Sequence, residues 1–378
     1  MELLNQLINS QFTVLKRIGS GSFGQVFEGR EKDTQKSVAI KLEPLGPAHQ
    51  YLLYEAKLIR SLQGVQGVPR VQWSGTEGSY NVLVMDLLGL NLGKRFAACE
   101  LKFMTKDLVQ VAVQLLERLE AVHEKCYIHR DIKPENFTLG LGTHQDIVYI
   151  IDFGLAKKYC DPKTMQHVPF RENKGLIGTA RYASVNSHLG LEQSRRDDLE
   201  AVLYVIVFFM KGNLPWQGVV ARTKPEKYSK IMEKKLNTSV EMLCKGLPQE
   251  VSACLKYVKG LRFDEQPNYL YLRNSFLKIA EREQVRIDHT FEWKLPSRPH
   301  HLSVPHQVQR RAKRQKGRRE SMLSSCIESS CVSYEEAPDG EETAVGTLPV
   351  ITSKVRLAAH WTGRSYGVAP PARGCMLF

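Results

Sequence analysis

No Cys-x-x-C pair occurs among the eight cysteines, which stand at 99, 126, 160, 244, 254, 326, 331 and 375. Such spacing offers neither a zinc site nor a dense disulfide framework, so reduced thiols in an intracellular compartment are expected. Long apolar runs are missing too. The longest, AVLYVIVFFM at 201–210, is half of the roughly 20 residues a membrane helix needs and predicts a buried helix instead. The opening MELLN lacks the basic and apolar regions of a secretory signal. Glu2 stands where the N-myristoylation pattern requires Gly. No internal repeat is visible. Acid is in deficit, 40 Asp and Glu against 53 Lys and Arg, for a formal net charge of +13. This excess favours anionic partners (nucleic acid, anionic lipid, or acidic and phosphorylated protein) without choosing among them.

What remains is a 378-residue chain, 42% hydrophobic and 25% charged, the balance of a globular protein with a sizeable core. Its first hundred residues are rich in strands. FTVLKRI (12–18), QVFEGRE (25–31), SVAIKLE (37–43), VQWSGT (71–76) and YNVLVMD (80–86) mix β-branched and aromatic residues, with turn residues between most of them. One helix interrupts them at about 49–63, with Leu52, Ala56, Ile59 and Leu62 at helical spacing. Beyond residue 90 the pattern is helical: 104–125, with Thr105 as the expected N-cap, then 195–211, 226–234, 248–259 and 268–281. Strands followed by helices predict an α+β fold of two lobes, a small antiparallel β lobe with one helix over 1–89 and a larger, mainly helical lobe over 90–295. The remaining 296–378 carry the basic run RRAKRQKGRR (310–319), then Ser-rich and acidic stretches with few large apolar residues, and are expected to lack a core of their own.

Three stretches carry chemistry. GSGSFGQV (19–26) places Gly19, Gly21 and Gly24 after a strand, where a bare backbone can approach phosphate oxygens. A glycine-rich hairpin turn is the plainer reading. A dinucleotide site would need a helix next, and QVFEGRE reads as a strand, so a hairpin flap over phosphates fits better. In VAIK, Ala39 and Lys41 share one face of a strand. A Lys turned into a cleft is costly unless an anion meets it, and Glu55 on the first helix can hold its ammonium. A solvated strand lysine is the alternative. YIHRDIKPENF (127–137) then gathers Asp131, able to accept a hydroxyl proton, Lys133, able to neutralise a transferring phosphoryl group, and Asn136, a neutral oxygen for a metal. The strand YIIDFG (149–154) ends on Asp152. One carboxylate, one amide and a triphosphate suit Mg²⁺, which keeps several waters and prefers oxygen.

Taken together and in this order, these motifs resemble eukaryotic protein kinases over about residues 12–290. Lys133 is similar to the Ser/Thr class. GTARYASVNSHLGLEQSRRDDLE (178–200) resembles the casein kinase I family, which carries a Ser-Ile-Asn-like triplet, here Ser184-Val185-Asn186, in place of Ala-Pro-Glu. LPWQG (214–218), EKYSKIMEKK (226–235) and LRFDEQPNYLYLR (261–273) extend the likeness. Tau-tubulin and vaccinia-related kinases share parts of it.

The resemblance implies a serine/threonine protein kinase using ATP and Mg²⁺. Lys41 would hold the α- and β-phosphates, Glu55 would orient Lys41, and Asn136 and Asp152 would hold the metal. Asp131 would act on the acceptor hydroxyl, with Lys133 facing the γ-phosphate, Thr179 tying the activation segment to both and Asp198 bracing the catalytic loop. Ile18, Val26 and Ala39 would lie above the adenine, Met85 would be the gatekeeper, and the backbone of Asp86–Leu88 would supply hinge hydrogen bonds. Thr138 departs from the Leu expected at the cleft floor. Substrates would be proteins with acidic or already phosphorylated residues N-terminal to the acceptor, met by Arg181, Lys227, Lys174 and the Gly218 backbone. Pro225 and Glu226 interrupt that basic stretch, predicting weaker anion binding, and solvated cations are the plainer reading. Activity without an upstream kinase is expected.

The rivals are a catalytically silent kinase-fold scaffold, against which Lys41, Asp131, Asn136 and Asp152 all speak, and a nucleic-acid binder, for which no stacking motif is present. Nucleic acid is therefore not an expected partner, and a monomer is expected. The final CMLF, with Cys375, matches a prenylation pattern. One lipid anchors weakly, and the 310–319 run is either the second membrane signal, a nuclear import signal or a solvated stretch. A cytoplasmic protein is expected, membrane-associated through its C-terminus or nuclear.

Overall fold

The computed structural model describes residues 4–21, 24–46 and 51–293. Cys375, the basic run and the Ser-rich stretch lie outside the described residues. Ten strands and nine α-helices are present among those described. The strands are β1 (Leu7–Ile8), β2 (Phe12–Gly21), β3 (Gly24–Glu31), β4 (Ser37–Pro44), β5 (Val71–Glu77), β6 (Tyr80–Asp86), β7 (Tyr127–Ile128), β8 (Phe137–Leu139), β9 (Val148–Ile150) and β10 (Lys157–Lys158). The helices are α1 (Tyr51–Ser61), α2 (Leu92–Ala98), α3 (Thr105–Glu124), α4 (Val185–His188), α5 (Arg195–Lys211), α6 (Lys224–Asn237), α7 (Val240–Leu243), α8 (Gln249–Gly260) and α9 (Tyr269–Arg282).

The first six strands form one antiparallel sheet in the order β1-β2-β3-β4-β6-β5. Phe12, Val14, Phe27, Val38, Ile40, Leu42, Val82 and Val84 close its own small core. Helix α1 turns Leu52, Ala56 and Ile59, and the turn after it Leu62, into the larger core shared with α3 and α5. This is what the 3.6-residue spacing dictates.

The larger core is built around α5. Every residue from Arg196 to Phe209 is buried, which accounts for the uninterrupted apolar run at 201–210. At its start the Ser194 amide donates to the Asp197 carboxylate at 2.7 Å and the Asp197 amide to the Ser194 carbonyl at 3.0 Å, and Gly212, left-handed at φ 76°, ends it. The cap of helix α3 falls one residue earlier than expected. Met104 occupies the N-cap without a side-chain bond and Thr105 is the first helical residue. Past α9 the chain runs back over α3: Gln110 donates to the Thr290 carbonyl at 2.7 Å and the Glu292 amide to Asp107 at 2.8 Å. Trp293 packs on Phe103 and Phe291. No helix among the described residues is long and apolar enough to cross a membrane.

Candidate active site

Three elements from the first sheet and its helix frame one wall of the site. The β2–β3 ladder closes on the pair Gly21 and Gly24. A Cβ on Gly24 would stand 2.0 Å from the Leu42 carbonyl oxygen, at φ +148°, so only glycine lets β3 lie this close to β4. On β4, Lys41 pairs with Val26 on one side and Leu83 on the other, and Ala39 with Met85. Ala39 is buried, Val26 and Met85 are half-buried, and Ile18 is exposed.

Lys41 is itself buried, and its Nζ lies 2.7 Å from Glu55 Oε2 and 2.9 Å from Asp152 Oδ1. Burial alone would lower the ammonium; the charges of Asp152 and Glu55 outweigh it and hold the group above its ordinary value. Burial likewise pushes the Asp152 carboxyl up, yet Lys41 and Lys133 bring it down to about 2. Glu55 is pushed up by burial, against the pull of Lys41. Its second oxygen accepts from the Phe153 amide at 3.2 Å, so one carboxylate fastens α1 to both the strand lysine and the segment after Asp152. Asp152 is left-handed, φ 67° and ψ 65°, a conformation tolerated by Asp and held here by its ion pair.

The opposite wall is the loop between β7 and β8. Asp131 is buried and both its carboxylate oxygens are engaged. Thr179 Oγ1 donates to Oδ1 at 2.7 Å. Lys133 Nζ lies 2.5 Å from Oδ2, and Asn136 Nδ2 reaches the same oxygen at 3.2 Å and the Asp131 carbonyl at 2.8 Å. With its amide N–H groups turned onto Asp131, Asn136 keeps its Oδ1 as an acceptor.

The loop's shape is set from below. Asp198 on α5 accepts from the amides of His129 at 2.7 Å and Arg130 at 2.9 Å. It also accepts from His123 Nε2 at 2.9 Å, and His123 Nδ1 meets the Tyr269 hydroxyl at 2.6 Å. Burial would raise the Asp198 carboxyl, but His123 and the His129 amide bring it below its ordinary value. The His123–Tyr269 link was not read from the sequence, because the two residues stand 146 apart and neither belongs to a short motif.

At the connection out of β6, the Asp86 side chain accepts from the Arg70 amide and from Gln72, while its amide donates to the Arg70 carbonyl. The amide of Leu88 has no backbone partner among the described residues. Thr138, in β8, bridges to Asn91; it is buried, and its hydroxyl has no hydrogen-bond partner among the described residues.

The basic residues expected to meet an acidic acceptor are carried on separate elements. Arg181 is buried, with its guanidinium 5.8 Å from the Tyr182 ring. Its carbonyl accepts from Trp216 Nε1 at 2.7 Å, which brings the 214–218 turn, with exposed Gly218 at φ 69°, against it. Lys174 is half-buried and donates its amide to the Gly190 carbonyl. Lys227 is exposed in the first turn of α6, which packs on α4. Pro225 and Glu226 prove to be helix-start chemistry. Thr223 caps the Glu226 amide, Pro lies in the first turn, and the Glu226 carboxylate turns back to the Arg222 amide at 2.7 Å and to Lys230 at 2.6 Å.

A small antiparallel sheet with one helix, a larger helical region, and a Lys–Glu–Asp ion cluster facing a second, polar loop define a two-lobed kinase fold. The family model for the protein kinase domain matches residues 12–263, more than half of the chain. The chain belongs to the protein kinase family. Members of this family generally transfer phosphate from ATP with the help of a divalent metal.

Proposed function

We propose that this protein is a serine/threonine protein kinase of casein kinase I type, acting on acidic or already phosphorylated acceptors. The observation that carries the reading is the set of bonds at Asp131. Thr179, Lys133 and Asn136 all converge on that one carboxylate.

The residues present fit a magnesium nucleotide. The Asp152 carboxylate and Asn136 Oδ1 are hard oxygen donors, too few for an all-protein cage but suited to a metal that keeps water and phosphate ligands. Among the described residues no cluster of three or more His, Cys, Asp or Glu side chains could hold a metal by itself. MgATP, when bound, supplies the phosphoryl group and a counter-charge. Lys41, fixed by Glu55, holds the α- and β-phosphates; Gly19, Gly21 and Gly24 let the flap approach them. Ile18, Val26 and Ala39 cover the base, Met85 stands behind it, and the hinge at Asp86–Leu88 reads its edge.

Asp131 orients the acceptor hydroxyl and takes its proton, and Lys133 neutralises charge building on the transferred group. Catalysis of this kind is positioning and electrostatic stabilisation. Arg181, Lys174, Lys227 and the Gly218 backbone then meet acids or phosphate on the acceptor peptide, for which charge-assisted bonds from Arg are well matched. The choice of Ser/Thr over Tyr is supported by Lys133. We extend the proposal to a monomer active in the cytoplasm, with no nucleic-acid partner, and drawn to anionic membranes by a prenylated Cys375 and the 310–319 run.

The test is transfer of labelled γ-phosphate to peptides with Ser, Thr or Tyr acceptors, each in acidic, phosphorylated and neutral versions. Label on Ser and Thr of the anionic peptides is expected. Label on Tyr, or equal labelling of neutral peptides, contradicts the reading.

A further inference from the structure

The last turn of helix α6 carries two adjacent lysines with opposite surroundings. Lys234 is exposed, whereas Lys235 is 3% exposed. Lys235 Nζ donates to the Ala180 carbonyl at 2.9 Å and to the Ala183 carbonyl at 2.5 Å. The rings of Tyr204 and Trp216 each have their centroid 5.1 Å from it. A buried amine costs free energy, and burial pushes Lys235 well below its ordinary value while Glu200 pulls it back. The two rings and the hydrogen bonds offset that cost, and both hydrogen bonds go to one short stretch of backbone.

That stretch carries the acceptor-facing residues. Between Thr179 and Ser184 the chain forms neither helix nor strand, so its carbonyls must be met from outside. Lys235 meets those of Ala180 and Ala183, Trp216 meets that of Arg181, and His188 Nε2 adds a second donor to Ala180 at 3.0 Å. Burial and the nearby Lys235 hold the His188 imidazole down to about 3. The amides of Tyr182 and Ala183 turn back onto the Thr179 carbonyl, both at 2.9 Å, and Thr179 itself holds Asp131. A continuous set of bonds therefore runs from Lys235 through the turn bearing Arg181 to the Asp131 carboxylate.

We propose that Lys235 is a positioning residue for the acceptor: by gripping the backbone on both sides of Arg181 it fixes where that guanidinium meets an acidic or phosphorylated peptide. The inference rests on the reading of Arg181 as an acceptor contact. Lys235 touches neither nucleotide nor peptide and acts through the turn. Met in its place keeps the volume but removes the donor to the Ala183 carbonyl and leaves the Ala180 carbonyl to His188 alone, whereas Gln keeps an N–H₂ group able to donate to both.

The experiment measures peptide affinity by fluorescence anisotropy, for a phosphorylated peptide and its unphosphorylated twin, with wild-type protein, Lys235→Met and Lys235→Gln. MgATP affinity is measured alongside. In Lys235→Met the preference for the phosphorylated peptide is expected to fall about tenfold, the scale of a lost hydrogen-bond set. MgATP affinity should stay within about twofold, and Lys235→Gln should recover most of the preference. A Lys235→Met protein that keeps the wild-type preference overturns the inference, as does equal loss of MgATP and peptide binding in both variants. Wild-type protein with no preference for the phosphorylated peptide overturns the acceptor reading itself, whatever the variants do.

Discussion

Thr179 donates a 2.7 Å hydrogen bond from Oγ1 to Oδ1 of Asp131, joining two buried residues 48 positions apart. The bond fixes one carboxylate oxygen and leaves the orientation of the other to Lys133 and Asn136. Hydrogen bonds to charged groups are worth about 1.5–3 kcal/mol. Thr179→Val should therefore lower kcat by roughly tenfold to a hundredfold. Thr179→Ser should restore most of it, with MgATP affinity unchanged. Steady-state kinetics of the two variants checks this.

The cluster of buried Lys41 and Glu55 with half-buried Asp152 is balanced only while its cation is present. Lys41→Met strands two carboxylates and should lower the unfolding free energy by about 3 kcal/mol or more. Adding Glu55→Gln to that variant should return part of the loss, since one buried charge is then removed. Urea denaturation of the single and double variants reads both effects.

Acid should act through Asp152. Its carboxyl, held at about 2 in the folded protein, is depressed relative to an unfolded value of about 4. The stability it contributes is present above the unfolded value and lost as pH falls through the folded one. The melting-temperature gap between wild type and Asp152→Asn should thus narrow progressively as pH falls from about 5 towards about 2. A gap that widens on acidification would count against the ion pair.

Much of the site was legible in the sequence because its motifs are local. The residues from His129 to Asn136 are packed into one loop, and strand alternation already placed Ala39 and Lys41 together. The central helix was legible for a different reason: a ten-residue apolar run with no polar face has to be surrounded. What was illegible depends on three dimensions. Lys235 looks like any lysine of a basic helix until the 180–183 carbonyls arrive beside it. Nor did the sequence show that the Glu226 carboxylate is folded back onto the Arg222 amide and Lys230. Helix α2 escaped notice because it is only seven residues long, too short for periodicity to show. Its signal was the cap, Asn91, whose side chain accepts from the Lys94 amide at 2.8 Å.

Two hydrogen bonds tie the segment after Asp152 to α1 and to the loop between β7 and β8 without any modified residue. Tyr54 on α1 donates to the Ala156 carbonyl at 3.2 Å, and Arg130 Nε donates to the Leu155 carbonyl at 2.7 Å. Protein treated with phosphatase should keep its full rate. Tyr54→Phe removes one neutral hydrogen bond of this latch and should lower kcat by about two- to tenfold, measured on phosphatase-treated protein.

The central claim is that Asp131 does acid–base and positioning work on an acceptor hydroxyl. Its most direct test is the rate of γ-phosphate transfer from MgATP to an acidic Ser peptide, wild type against Asp131→Asn, with MgATP affinity measured in parallel. A fall of roughly 10²–10⁴-fold with nucleotide affinity preserved is expected. Equal transfer rates in the two proteins would contradict it.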